Sequence, residues 1–260
     1  MPNSSDRPVV SLIIGLLTAL QCTGLHQAAA QERAASRHTQ KRIEALIEML
    51  ASKNEAPAPK RNHLDVPKGY DRQAQAVVYL AIQQLLAEGS EAFDLLIQHL
   101  GDARYSHSYE SIQGDFNTNV GAVCHDILVR SVECYEFEID LISWDQQEIF
   151  LKGTSRTKLA EWWKANRERP LWKLQLEAID RQIEFQKNAD RDRVRTIHPE
   201  APRLPAEEFE ELREKNLELL KRRRASIEAA EEPYRPKSLE HYFGTMTLLP
   251  WGKGWTGFNK

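Results

Sequence analysis

The chain has 260 residues, 41% of them hydrophobic, with 35 Lys and Arg against 38 Asp and Glu for a formal net charge of -3. So small a balance excludes a global electrostatic attraction to nucleic acid or to an anionic membrane. The length is enough to bury a real core, as one elongated domain or two small ones.

Arg7, the apolar run from Val9 to Leu20 and the small residues Ala28, Ala29 and Ala30 before Gln31 have the order of a secretory signal peptide. Cleavage is expected after Ala30, leaving about 230 residues in the periplasm or outside the cell. Cys22 suggests a lipoprotein site, but Gln21 stands where a small residue is wanted. An uncleaved anchor would change the attachment and not the compartment. No other stretch is long and apolar enough to span, so no membrane span is expected after cleavage.

Ile43, Leu46, Ile47 and Leu50 make one apolar stripe at helical spacing. Ala56 to Lys68, with Pro57, Pro59 and Pro67, reads as an exposed connection. The run Val77, Val78, Tyr79, Leu80, Ala81, Ile82 is apolar on nearly every face, its polar character left mainly to Arg72, Gln75 and Gln83, so this helix must be covered on more than one side. Gly89 is placed to close it as a left-handed cap, and Ser90 with Glu91 to open the next helix. Phe93, Leu96, Ile97 and Leu100 then repeat the first stripe at an offset of fifty residues, and Gly101 ends it. So short a turn between two helices predicts an antiparallel pair.

Asp102 to Asn119 is a polar and aromatic loop carrying Tyr105, His107, Tyr109 and Phe116. Val120 to Val132 is a second buried helix, marked by Val123, Cys124, Ile127 and Leu128. An amphipathic helix, a loop and a buried helix thus occur twice, the pattern of stacked helix pairs. With "ALIEMLASKN" and "DLLIQHLGDAR" at the first-helix positions, residues 40 to 132 resemble HEAT-like repeats, although only two units are visible and their loops are unusually long. The chain is also similar to uncharacterised exported bacterial proteins with such helices, a likeness that implies no known activity.

Tyr135, Phe137, Ile139 and Leu141 alternate with Glu136, Glu138 and Asp140, the period of a half-buried strand, with Ile149 to Leu151 and Thr245 to Leu249 as candidate partners. Beyond Gly153, a helix carries Leu159, Trp162 and Trp163, and Pro170 breaks it. Leu171 to Lys187 places Trp172, Leu176, Ile179 and Ile183 in line, so the two helices are expected to form a tryptophan-rich hairpin. Three prolines make Asp190 to Pro205 a connector, and Ala206 to Ala230 is a long charged helix with a thin stripe at Phe209, Leu212, Leu219 or Leu220 and Ile227. Lys221 to Arg224 reads as a solvated basic turn matched to the helix dipole. From Tyr242 to Lys260 the chain is too apolar for a disordered end.

The expected fold is therefore mainly α: stacked antiparallel HEAT-like pairs, a C-terminal helical hairpin, a long charged helix and one short β element. The divisions are 1–30 (signal peptide), 31–152 (HEAT-like helical domain) and 153–260 (hairpin, charged helix and aromatic, glycine-bearing tail).

Cys124, His125 and Asp126 are adjacent, and neighbours on a helix point about 100° apart, so they do not read as a thiolate pair. Cys124 and Cys134, about 15 Å apart if they share one helix, read as buried thiols rather than a disulfide, which spans at most about 7 Å. The histidines lack HExxH or close His-Cys spacing, and no phosphate loop, GxSxG elbow or paired-carboxylate motif occurs. No catalytic residue, metal ligand or cofactor is assigned on these grounds. Candidate binding residues are Tyr105, His107, Tyr109 and Asp115 in the aromatic loop and Trp251 and Trp255 in the tail, aromatic groups able to stack on sugar rings or grip a partner. The tail also reads as folding back to fill a groove between helices.

The expected function is that of an exported, non-catalytic helical binding or scaffold protein engaging a protein partner in the cell envelope or outside the cell. The alternative is an extracytoplasmic enzyme or glycan-binding protein using the aromatic loop and tryptophan tail. Convergence of the polar side chains of the two long loops in one pocket favours the second reading; scatter disfavours it.

Overall fold

The computed structural model describes residues 36–60, 63–111, 114–134, 156–188, 205–235 and 247–249. The proposed signal peptide, the strand expected at Tyr135 to Leu141 and the tail tryptophans lie outside the described residues, as does nearly all of the 190–205 connector. The chain divides into two units between Glu44 and Ala45. In the first, residues 36–44 are helical and Gln40 Nε2 donates to Glu44 Oε1 at 3.1 Å, a one-turn surface pair.

The described chain is mainly helical, with short antiparallel strands between helices. The first helix, α1, covers residues 36–49. Its stripe is where the spacing puts it, with Ile43, Leu46, Ile47 and Leu50 all buried. A tight hairpin, β1 (Ala58–Lys60) and β2 (His63–Asp65), follows, and then α2 (Arg72–Glu88). A 3-10 turn (Gly89–Ala92) leads into a short α3 (Phe93–Gln98). A longer hairpin, β3 (Tyr105–Ser111) and β4 (Gly114–Asn119), precedes α4 (Val120–Glu133). Strand β5 (Thr247–Leu249) adds to the free edge of β3, giving the antiparallel order β4-β3-β5.

Both long connections, expected to be loops, are therefore β-hairpins, and each departure from a plain helix pair has the same form: helix, hairpin, helix. Pro57 is buried rather than exposed, its carbonyl accepting from Asn117 Nδ2 at 2.8 Å. The helices after the hairpins start in the same way. Asp71 Oδ1 accepts from Gln73 N and Ala74 N at 2.9 and 3.0 Å, and Asn119 Oδ1 accepts from Ala122 N at 2.8 Å, so each cap satisfies amides that a helix start leaves open. The next two donors of α4 are taken by the turn before the hairpin: Val120 N donates to Arg104 O and Gly121 N to Asp102 O, both at 2.9 Å. Gly121 permits that approach, because a Cβ there would lie 2.4 Å from Leu100 O.

Helix α2 is not covered all round. Tyr79, Ile82 and Leu85 are fully buried, whereas Val77 and Leu80 are 39% and 42% exposed. Gln75, expected on the polar side, has no exposure at all. Gly89 has a positive φ, 63°, but its ψ of -135° is not that of the left-handed cap expected, and Ser90 makes no cap as the chain enters the 3-10 turn.

The C-terminal helices α5 (Arg156–Asn166), α6 (Leu171–Asn188) and α7 (Ala206–Ala230) do not give the expected tryptophan hairpin. Helix α5 packs on α3, with Trp163 edge-on to Phe93 at 5.0 Å and its Nε1 donating to Asp94 Oδ1 at 2.7 Å. Helix α6 packs on α4 and α7 instead. Ile179, Ile183, Leu220 and Ile227 form that second core with Cys134, while Trp172 and Leu176 lie at its margin. Gln175 serves as a clasp: Nε2 donates to Ser131 O at 2.7 Å and Tyr234 O at 2.9 Å, and Oε1 accepts from Tyr234 N at 2.8 Å. The basic turn of α7 is more than solvated, since Arg223 donates to Cys134 O at 2.6 Å and stacks over Tyr234, and Arg224 pairs with Asp180 at 2.6 Å. Cys124 and Cys134 are both buried and are not bridged to each other, Cys134 closing α4 in the left-handed conformation.

Candidate functional site

The β3–β4 hairpin has two differently built faces, and the register explains them. Tyr105 pairs with Asn119 but His107 with Thr118, so Ser106 is an extra residue on β3, a β-bulge. Beyond it His107, Tyr109, Phe116 and Thr118 share one face, while Tyr105 is switched to the face of Ser108 and Asn117.

The Tyr105 face is an anchor. Tyr70 Oη reaches Gln75 Oε1 at 2.8 Å and Tyr105 Oη at 2.8 Å; Tyr105 Oη reaches Ser108 Oγ at 2.7 Å, and Ser108 Oγ donates to Asn117 Oδ1 at 2.7 Å. Ser52 Oγ also donates to Gln75 Oε1 at 2.8 Å, and Gln75 Nε2 donates to Ser106 O at 2.9 Å. Burial raises the Tyr70 and Tyr105 phenols above their usual range, so both are protonated at neutral pH. The chain of hydroxyls bolts the hairpin to α2 and to the segment before β1.

The opposite face meets α4 around a cleft of about 330 Å³. His107, Tyr109, Phe116 and Thr118 line it from the hairpin, and Ala122, Asp126 and Arg130 from successive turns of α4. Tyr109 and Phe116 are cross-strand partners with ring centroids 5.7 Å apart, and Phe116 is 40% exposed. Across from them Arg130 Nε donates to Asp126 Oδ2 at 3.0 Å, with the arginine 7% and the carboxylate 42% exposed. His107 sits at the base, edge-on to Tyr79 at 5.8 Å. Burial lowers its pKa to about 4 against the opposing pull of Asp126, so the imidazole is neutral at pH 7.

Of the six residues expected from the sequence, His107 and Tyr109 enter this cleft, and Tyr105 belongs to the anchor because of the bulge. Asp115 lies on β4 opposite Glu110, near the hairpin tip, and Trp251 and Trp255 fall outside the described residues. Sequence reasoning missed Phe116 and Thr118 as site residues, and also Asp126 and Arg130. The available signal was the i, i+4, i+8 spacing of Ala122, Asp126 and Arg130, a stripe of small and charged residues on an otherwise apolar helix. The neighbours of Asp126 diverge from it as expected: Cys124 is fully buried, and burial pushes its thiol up to about 12. Among the described residues no group of three or more His, Cys, Asp or Glu is placed to hold a metal ion, and no helix is long and apolar enough to cross a membrane.

A second polar cluster flanks the anchor. Arg104 is held between Glu48, at 2.7 and 3.1 Å, and Asp102, at 2.6 Å. The guanidinium lowers the Asp102 pKa to about 2 and also lowers that of Glu48. The cluster ties α1 to the turn before β3 and reads as structural, because its charges satisfy one another.

Compared with known proteins, the chain matches no family model, no curated protein and no solved structure.

Proposed function

We propose that the protein is an exported, non-catalytic binding protein whose recognition element is the cleft between the β3–β4 hairpin and α4. The observation that carries this reading is a preformed cleft to which only one of the two long connections contributes: aromatic and polar side chains of the β3–β4 hairpin and of α4 face one concave site, and the far side of the hairpin is bolted down. A rigid platform with its cleft already formed is what ligand recognition requires. The groups there also favour binding over turnover, since His107 is neutral and buried, Asp126 is engaged by Arg130, and the nearby Cys124 thiol is held protonated. The HEAT-like reading enters as a proposal too, with each helix–hairpin–helix segment as one repeat unit. Export rests on the Arg7 to Ala30 pattern, and N-terminal sequencing of extracytoplasmic protein is expected to begin at Gln31.

The test is amide hydrogen exchange of the purified protein with and without soluble extract of the producing cell's envelope. Protection is expected over 105–130 and is expected to vanish in Ala122→Trp, which places a large ring in the cleft from an exposed helix position. No protection in that segment, or equal protection in the variant, removes the binding reading.

A further inference from the structure

The chemistry of the cleft narrows what it accepts, on the premise that it is the binding site. One wall is apolar: the Tyr109 and Phe116 rings, tilted 32° to each other, present an aromatic surface that is partly open to solvent at Phe116. The electron-rich face of such rings attracts the weakly positive C–H bonds of an apolar or amphipathic ligand. The other wall is polar, and its charged residues, Asp126 and Arg130, pair with each other. An anion entering the cleft meets the Asp126 carboxylate, a cation meets the Arg130 guanidinium, and either must compete with the existing pair. A hydrocarbon fares no better, because it would strip water from the exposed carboxylate and return no hydrogen bond. A ligand with one C–H face and a rim of hydroxyls satisfies both walls: its hydroxyls donate to carboxylate oxygens and accept from guanidinium N–H groups. The volume of about 330 Å³ is at the lower end of the range for small-molecule sites, about 300–1,000 Å³, and suits one or two rings.

We propose that the cleft binds a neutral sugar, one ring seated on Phe116 and Tyr109 with its hydroxyls turned to Asp126 and Arg130. Thr118 and Ala122 frame the seat, and the small side chain of Ala122 leaves the mouth open.

The experiment presents the secreted protein to arrays of neutral hexose and N-acetylhexosamine oligosaccharides, of sialylated and sulfated oligosaccharides, and of peptides. The best neutral glycan is then titrated calorimetrically. Binding to neutral glycans is expected, weakened about tenfold or more in Phe116→Ala, retained in Phe116→Trp and abolished in Ala122→Trp. Thermal melting checks that the variants fold, and the exposed settings of Phe116 and Ala122 favour unchanged midpoints. Selective binding of charged glycans overturns the proposal, as does peptide binding lost in Ala122→Trp, although either leaves the binding reading standing. Neutral-glycan binding indifferent to both Phe116→Ala and Ala122→Trp overturns it as well. Blank arrays do the same, and the exchange experiment separately decides whether the cleft binds anything.

Discussion

The anchor behind the cleft contains one proton too few. From Gln75 Oε1 through Tyr70, Tyr105 and Ser108 to Asn117 Oδ1 run four oxygen-to-oxygen contacts of 2.7 to 2.8 Å. The two ends are carbonyl oxygens with no proton to give, fixed in orientation because Gln75 Nε2 donates to Ser106 O and Asn117 Nδ2 to Pro57 O. Three hydroxyl protons must therefore serve four contacts, and one contact sets lone pair against lone pair. Taking about 1 kcal/mol net for each bond made and a similar cost for the unfilled contact, the wild-type chain is worth about 2 kcal/mol. Tyr105→Phe removes two contacts and leaves two protons for two bonds, again about 2 kcal/mol. Tyr70→Phe gives the same count. The expected stability change is near zero for each single variant, although a buried Tyr→Phe normally costs about 1 kcal/mol. In the double variant only the Ser108–Asn117 bond remains, so it is expected to lose about 1 kcal/mol that neither single variant loses. Urea unfolding of the four proteins, with unchanged slopes, reads the cycle directly. Single-variant losses of about 1 kcal/mol or more that simply add in the double would show that the proton count is wrong.

Gly121→Ala is expected to cost about 2–3 kcal/mol, because the new methyl would lie 2.4 Å from Leu100 O and 2.8 Å from its carbonyl carbon; a urea midpoint within error of wild type would contradict this. Asn216→Leu is expected to stabilise by about 1–2 kcal/mol, since this side chain is 1% exposed and its Oδ1 and Nδ2 meet no hydrogen-bond partner among the described residues. The melting temperature should rise by about 2–4 °C per kcal/mol. For pH, His107 falls from 6.5 to about 4 on folding, so in that interval the unfolded chain binds a proton that the folded chain refuses. Stability is thus complete above about pH 6.5 and declines as pH falls toward 4, by about 3 kcal/mol in all. Asp102 extends the decline to lower pH: its contribution is present above 3.8 and is lost as pH falls through about 2. Urea melts between pH 7 and 4 should show the first loss, and His107→Gln should flatten it.

Local rules made much of the scaffold legible. The stripes at Ile43 to Leu50 and Phe93 to Leu100 are buried except for part of Ile97, because a 3.6-residue period is written in neighbours and needs no knowledge of the rest. The hairpins escaped for the opposite reason. Tyr105 to Tyr109 alternates aromatic rings with serines, and Ser106 and Ser108 are fully buried, so a stretch that reads as a polar loop is an interior strand. Strands of three residues among prolines, as at Ala58–Lys60, carry too little pattern to recognise. Gln75 shows the same limit: nothing local announces that a glutamine will be fully buried, since Ser52, Tyr70 and Ser106 satisfy it only after the chain has closed. The cleft was half legible: His107 and Tyr109 were among the expected residues, whereas Phe116 was not, and the charged side lay in an i, i+4 pair whose partner surface only the fold supplies.

The bulge at Ser106 makes the division of labour on β3 hang on a single peptide unit. Inserting one residue between Thr118 and Asn119 would give Ser106 a partner and restore simple alternation, carrying the Tyr105 phenol out of its mooring and round to the side of His107. A lineage that gained such a codon would find its cleft crowded and its hairpin adrift in the same event, so the two faces of the strand can only be inherited together.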